Sequence, residues 1–332
     1  MSPTGRDDPQ QMGVFGLFEW PNAWIGDSLA PMDGRIMFSQ ECLCEIETTV
    51  RELRANPMPV LSLQPSDVEM PACREVMNVV RRQLDTGLGF VILDRIPLDR
   101  MRRQEAIAVY WLLAQMTGRP VSQKWADGRM LYAVTDLGEP SGNGVRPDVT
   151  NEDQSFHTDN SYNIRPPDHV GLMCLHPAME GGISRVVSMT AVHNRMRDEH
   201  SELLKRLYLP YFFDRQREHA EDDAKTIHRP VLNLEEGSLR VRVSRNLIYQ
   251  GYKLAGRIVD RESEAALEAW FSIVDDPAMY TEFFFEPGQI QFINNRVLGH
   301  KRTAFSDWPN PERKRHLIRI WLRDRGRHFY NG

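Results

Sequence analysis

The chain has 332 residues, 41% hydrophobic, 26% charged and 9% aromatic, the proportions of a globular protein rather than a disordered or fibrous one. Its net charge of -5 offers no basic field to a phosphate backbone, so no nucleic acid is expected as a partner. No apolar run approaches the roughly 20 residues of a membrane span, the N-terminal stretch lacks the features of a secretory signal, and Cys42, Cys44, Cys73 and Cys174 are too scattered for a disulfide scaffold. A soluble, cytoplasmic protein with no membrane partner is expected.

Residues 1 to about 40 are rich in Gly, Pro, Asp and aromatics without periodicity, and Gly13 to Trp24 (GVFGLFEWPNAW) reads as a loop that lays aromatics on the body or on a partner chain. Glu41 to Ala55 suits a helix ended before Pro57. Cys42 and Cys44, two apart on it, would point in different directions, so buried or idle thiols are expected rather than metal ligands. Glu75 to Thr86 reads as a helix stopped by Gly87 and Gly89, Phe90 to Leu93 as a buried strand, and Leu98 to Thr117 as a helix ended by Gly118 and Pro120. Asp136 to Thr150 is a polar Gly/Pro-rich loop of the kind that borders a site.

Further on, strand signals appear at Val170 to Leu175, Arg185 to Ser188, Ser238 to Val243, Glu282 to Asn295 (two strands broken at Pro287-Gly288) and His316 to Leu322. Helices are expected at about Thr190 to Tyr208 and Glu262 to Val274. Arg215 to Thr226 is highly charged; a solvated surface segment is the ordinary reading and a mobile lid the other. Many strands, with helices mainly on the N-terminal side, predict a mainly β (α+β) architecture: a double-sheet jelly roll with flanking helices. Residues 1–70 are expected to be an N-terminal extension of loop and helix, and 71–332 a single domain with the lid-like insertion near 212–228.

Among the ten histidines, His157-Thr158-Asp159 and His219-Ala220-Glu221 each place a carboxylate two positions on. On a strand, residues i and i+2 share a face. An imidazole and a carboxylate can then take adjacent positions on one metal, and a distant His completes a face that leaves room for further ligands. The second pair lies in the charged segment, where that alignment is not expected. The first leads into Asn160-Ser161-Tyr162 and an apolar strand, and His300, shortly after another apolar strand, is its candidate partner.

In this light the chain resembles the taurine dioxygenase and clavaminate synthase-like branch of the iron(II)/2-oxoglutarate oxygenases. The likeness runs from about Gly89 to Leu322 and rests on four ordered blocks: FHTDNSY (156–162), PAMEGGISRVVS (177–188), PGQIQFINNRVLGHKRTAF (287–305) and RKRHLIRIWLR (313–323). One departure is visible, Asn294-Asn295 where an Asp-Asn pair is more usual. The resemblance implies a double-stranded β-helix, with His157, Asp159 and His300 as the catalytic Fe(II) ligands. It implies that Arg319, with Ser184, holds the distal carboxylate of 2-oxoglutarate, a task suited to a planar guanidinium. Arg323, four residues on, matches an arginine that meets an anionic substrate, with a terminal salt bridge as the alternative. Asn160, Tyr162 and Tyr132 are nominated for the substrate pocket.

The reaction implied consumes O2 and 2-oxoglutarate, releases succinate and CO2, and hydroxylates an unactivated C–H bond of a small polar or anionic molecule. Desaturation or ring closure would use the same residues, and the carboxylate of Asp159 speaks against halogenation. A jelly-roll module that keeps its metal without catalysis, or a zinc hydrolase or isomerase, are the alternatives. A homo-oligomer is left open.

Overall fold

The computed structural model describes residues 16–138 and 147–332. Its first part is a helical layer on a sheet: β1 (Arg35–Ile36), α1 (Gln40–Ala55), α2 (Pro71–Thr86), β2 (Phe90–Leu93), α3 (Arg103–Thr117), β3 (Arg119–Val121) and β4 (Leu131–Val134). Ser39 caps α1 by accepting from the Cys42 amide. Pro71 fills the first turn of α2, where its missing N–H is no loss, and the Glu45 carboxylate of α1 accepts from the next amides, Ala72 and Cys73, both at 2.9 Å. Cys42 and Cys73, expected as separate thiols, form a disulfide that joins α1 to α2. Two helix faces bring together cysteines 31 positions apart, which spacing along the chain cannot reveal. The first helix shares one core with α2, α3 and the sheet, through Ile46, Val50, Met77, Val80, Val109 and Leu112, so residues from 40 onward are built into the body.

The second part runs β5 (His169–His176), β6 (Glu180–Gly181), β7 (Ser184–Ser188), α4 (Met189–Glu199), α5 (Ser201–Leu207), β8 (Pro210–Asp214), β9 (Thr226–Pro230), β10 (Leu232–Glu235), β11 (Ser238–Val241), α6 (Arg245–Leu254), α7 (Arg261–Val274), β12 (Tyr280–Phe283), β13 (Ile290–Asn294), β14 (Leu298–Arg302), β15 (Phe305–Ser306) and β16 (His316–Arg323). The single helix expected at 190–208 breaks at His200 into α4 and α5, and α6 was not anticipated.

Two sheets face each other. The larger has the order β1-β2-β13-β5-β16-β3, with β4 also on β16; the smaller is β12-β7-β14. All pairings are antiparallel except β1 with β2. The all-apolar Phe90–Leu93 is buried along its whole length, because the helical layer covers one face of its sheet and the interior of the roll the other. At Gly171 of β5 a Cβ would come within 2.5 Å of the Tyr110 hydroxyl and 2.8 Å of Phe292, so only glycine lets α3 seat there. Charged residues 215–225 link the antiparallel hairpin of β8 and β9, with Arg215 bonded to Asp223. Trp24 is the aromatic that the N-terminal loop buries, its indole donating to the Leu88 carbonyl at 2.8 Å, whereas Trp20 stays exposed. Most of the Asp136–Thr150 loop lies outside the described residues; Pro147–Val149 ends it as a 3-10 turn.

Candidate active site

His157, Asp159 and His300 converge although the chain separates them. His300 lies on β14 of the small sheet, and His157 meets it through an isolated bridge with main-chain bonds both ways, 3.1 and 3.0 Å. The His-x-Asp segment is therefore not the strand expected from its spacing; it is two isolated bridges at His157, to Ser244 and to His300, leading into a turn at Asn160, whose φ is 55°. The two ligand-type side chains still share a side. Asp159 Oδ1 stands 3.5 Å from His157 Nε2 and 3.6 Å from His300 Nε2, and the three ligand atoms lie within 4.8 Å of one another. Ligands at right angles on a metal with bonds of about 2.1 Å stand about 3 Å apart, so a small contraction seats an ion.

The two oxygens of Asp159 do different work. Oδ1 faces the imidazoles, while Oδ2 accepts from Trp321 Nε1 at 2.7 Å and lies 3.4 Å from Arg319 Nη1. Burial by itself would raise this carboxyl; the Arg319 charge and the two histidines outweigh it and hold Asp159 well below the usual carboxylate range. Burial, then the nearby His157, lowers His300, keeping its ring neutral as a ligand requires. The Ser155 carbonyl lies 2.9 Å from His157 Nδ1 and fixes the proton there, leaving Nε2 to the metal. Asn295 brackets the Asp159 main chain, accepting from its N–H at 2.7 Å and donating to its carbonyl at 3.0 Å. Asn294, the unusual member of the pair, points away and donates to Leu84 O at the end of α2, so the departure lies outside the metal cluster.

Arg319, expected to hold the distal carboxylate of the cosubstrate, already has partners on every side of its guanidinium. Its Nε donates to Gln123 Oε1 at 2.9 Å, Nη2 meets Asp148 Oδ2 at 3.1 Å, and Nη1 faces Asp159. A guanidinium already opposite two carboxylates is poorly placed to take a third. Arg315, four residues earlier and 6% exposed, is by contrast a buried guanidinium with no carboxylate within salt-bridge range among the described residues. Burial, and then the charge of Arg302, pushes it down to about 9. Arg302 and Arg315 both lie over the Phe305 ring, 4.7 and 5.1 Å from its centre. In the β14–β7 register His300 faces Val186 and Arg302 faces Ser184, so Ser184 lies one step along the same interior face as His300. A Cβ at Gly182 (φ 68°) would approach Arg315 Nε at 3.5 Å, which gives the Gly pair a reason: its bare backbone lines this cradle. The block RKRHLIRIWLR carried the signal, two arginines four apart, and spacing alone did not choose between them.

The nominated substrate residues separate. Tyr132 pairs with Arg319 across β4 and β16, and the Arg319 guanidinium lies 4.9 Å from its ring centre. Asn160 and Tyr162 join through Tyr330, which donates to Asn160 Oδ1 at 3.0 Å and is 2.9 Å from the Tyr162 hydroxyl. Asn160 Nδ2 is buried without a partner. Arg323 is not available to a substrate: it is 2% exposed and donates to the carbonyls of Arg165, Phe329 and Tyr330. It ties the C-terminal segment over the turn after Asp159, and the salt bridge expected as its alternative does not form either. Trp321, Gln123, Asp148, Arg302, Arg315 and Tyr330 are the site residues that sequence reasoning missed.

A His/Asp/His cluster is the donor set that suits a non-haem iron(II) oxygenase. The chain belongs to the taurine catabolism dioxygenase TauD, TfdA family, whose profile matches residues 60–321. It is 25% identical over 322 residues to FR-33289 synthase of Streptomyces rubellomurinus, covering 95% of this chain and 92% of that one. Its fold is that of asparagine oxygenase in complex with Fe(II), (2S,3S)-3-hydroxyasparagine and succinate (TM-score 0.65, 20% identity, 88% of this chain and 94% of that one). The non-heme iron oxygenase OrfP in complex with Fe and alpha-ketoglutaric acid is similar in the same way (TM-score 0.64, 14% identity, 88% and 94%). The protein is thus an enzyme, an oxidoreductase with iron(II), 2-oxoglutarate and O2 as its cofactor and cosubstrates. Among the described residues no helix is long and apolar enough to cross a membrane.

Proposed function

We propose that this enzyme hydroxylates a C–H bond of a small polar or anionic molecule, with His157, Asp159 and His300 as the iron ligands and Arg315 and Ser184 as the anchor of the distal carboxylate of 2-oxoglutarate. The observation that carries the second assignment is the buried Arg315 guanidinium with no carboxylate opposite it. A metal-holding module without catalysis, or a zinc hydrolase, has no use for that cation. Iron(II) bound here supplies the redox chemistry that couples decarboxylation of 2-oxoglutarate to oxygen insertion.

The chain's own residues do the positioning. Trp321 and Arg319 hold Asp159 Oδ2 so that Oδ1 stays turned to the metal. The Asp159 side chain is 5% exposed, and this burial strengthens its charge interactions with Arg319 and the imidazoles. Arg319 and Tyr132 form the wall over the reacting position, and Asn160 offers its unpartnered Nδ2 to the substrate. Both solved neighbours have been seen with hydroxylated amino acids: asparagine oxygenase with (2S,3S)-3-hydroxyasparagine, and OrfP with (3S)-hydroxy-L-Arg. An amino acid or similarly small zwitterion is accordingly the substrate class to screen first. Residues 215–225 serve as the lid: Glu218 accepts from the Trp125 amide at 2.6 Å and lies 3.3 Å from Lys124, whose ammonium is 5.3 Å from the centre of the Tyr132 ring. The net charge of -5 supports action without nucleic acid, and action in the cytoplasm is part of the same proposal.

An anaerobic titration with Fe(II) and then 2-oxoglutarate, followed by visible absorbance, tests the reading. A charge-transfer band is expected in the parent, absent in Asp159→Ala, and seen in Arg315→Ala only at much higher 2-oxoglutarate. No band in the parent despite bound iron would overturn the assignment.

A further inference from the structure

A second concave site lies apart from the metal cluster. Where the end of β9, the β10–β11 hairpin and the link from β13 to β14 meet, a cavity of about 190 Å3 is lined by Arg229, Arg240, Arg242 and Arg296, together with Asn233 and Glu235. Four arginines and one carboxylate line it, and Asp168 also acts on Arg296. Glu235 lies 3.6 Å from Arg240 and 3.5 Å from Arg296 and serves both weakly. Arg229 donates only to its neighbour's carbonyl, His228 O, at 3.2 Å. Burial, then the charges of Arg296 and Arg229, pushes Arg242 down to about 10; burial lowers Arg296 as well. Such crowding of like charge destabilises a fold unless something offsets it, and planar guanidinium forks match the oxygens of a tetrahedral anion.

We propose that this cavity binds a small, multiply charged oxyanion of the phosphate type, free or as a phosphate ester. Arg229 and Arg240 meet it from the hairpin side and Arg242 and Arg296 from the side of the metal turn. The second pair gives the site its importance. Arg242 Nη1 also donates to Ser161 O at 3.1 Å and Asn163 O at 2.8 Å, the carbonyls of the turn that follows Asp159. Its neighbour Val243 donates to Thr158 Oγ1 at 3.1 Å, between His157 and Asp159. Arg296 follows Asn295, the residue that brackets Asp159. An oxyanion here relieves the repulsion directly behind the turn that carries the metal carboxylate.

The test is thermal unfolding of the metal-free full chain while chloride is replaced by inorganic phosphate at constant ionic strength. A saturable rise in Tm is expected, about 4 °C when phosphate exceeds its dissociation constant about 100-fold. It should persist in Arg315→Ala, which removes the buried cation beside Ser184, and vanish in Arg229→Ala/Arg240→Ala, whose side chains do not touch the metal turn. Arg229→Ala alone, at an exposed position, serves if the double variant does not fold, and should raise the phosphate needed for half the shift. No saturable rise in the parent, an undiminished rise in the cavity variants, or its loss in Arg315→Ala would each overturn the proposal. Repeating the titration with a phosphate monoester distinguishes the free ion from an ester as the preferred occupant.

Discussion

Replacing Arg315 with Met should stabilise the protein and disable its cosubstrate site in one step. The guanidinium is 6% exposed and pushed from the ordinary 12.5 down to about 9. At 1.36 kcal/mol per pH unit that drop corresponds to ~5 kcal/mol of cost to the charged form, an upper bound that relaxation around the group reduces. Exchanging a poorly compensated buried charge for an apolar chain of similar length should therefore raise the stability of the metal-free protein by about 1–3 kcal/mol. In the loaded enzyme, losing a bidentate pair of charge-assisted hydrogen bonds worth about 1.5–3 kcal/mol each should weaken 2-oxoglutarate binding at least a hundredfold. The group's folded value is depressed, so the unfolded chain holds this proton more tightly. Its cost is full below pH 9 and lifts as the pH rises above it, so the stability gap between parent and variant should narrow there. Denaturant unfolding of the metal-free protein and anaerobic calorimetry of 2-oxoglutarate on the iron-loaded protein measure the two effects. A variant that is less stable than the parent yet binds 2-oxoglutarate unchanged would refute the reasoning.

Trp321→Phe removes the 2.7 Å bond to Asp159 Oδ2 while keeping an aromatic ring; Fe(II) affinity, measured by competition with a chelator, should fall about 10–100-fold. Asn295→Ala leaves the buried N–H and C=O of Asp159 and the carbonyl of Pro167 without their partner, and should lower stability by about 2–4 kcal/mol in urea unfolding. His193 is fully buried beside the Tyr208 hydroxyl, and burial first, then the Arg197 charge, lowers it from 6.5 to about 4. Because the unfolded chain takes up that proton first, the stability it supports is present above pH 6.5 and is lost as the pH falls toward 4, by about 3 kcal/mol; His193→Gln should flatten this part of the pH profile. Glu218→Ala frees the Trp125 amide and Lys124 from residues 215–225, so cleavage of that segment in limited proteolysis should accelerate and KM rise while Fe(II) affinity stays as in the parent.

Much of the scaffold is written in local signals. The apolar run Phe90–Leu93, the stop at Gly87 and the break at Pro287-Gly288 mark elements that form where the local chemistry predicts them. The His-x-Asp pair and the distant His300 were legible for a related reason: a metal needs particular atoms, and few residue types supply them. The amphipathic α6 was harder to read, because its short pattern is hidden between a strand and the Gly256 turn.

What the sequence alone determined was the class of fold and the candidate metal cluster, since periodicity and donor chemistry belong to single residues and near neighbours; the reaction came from the resemblance of four ordered blocks to a known family. Tertiary structure decided which arginine does what. Arg315, Arg319 and Arg323 are alike in the chain and share a four-residue spacing. One is buried without a carboxylate opposite it, one faces Asp148 and Asp159, and one is bound by the carbonyls of the C-terminal segment. A guanidinium's role is set by the oxygens that reach it, and these come from residues as distant as Asp148 and Arg165, which only the folded chain brings within hydrogen-bonding range.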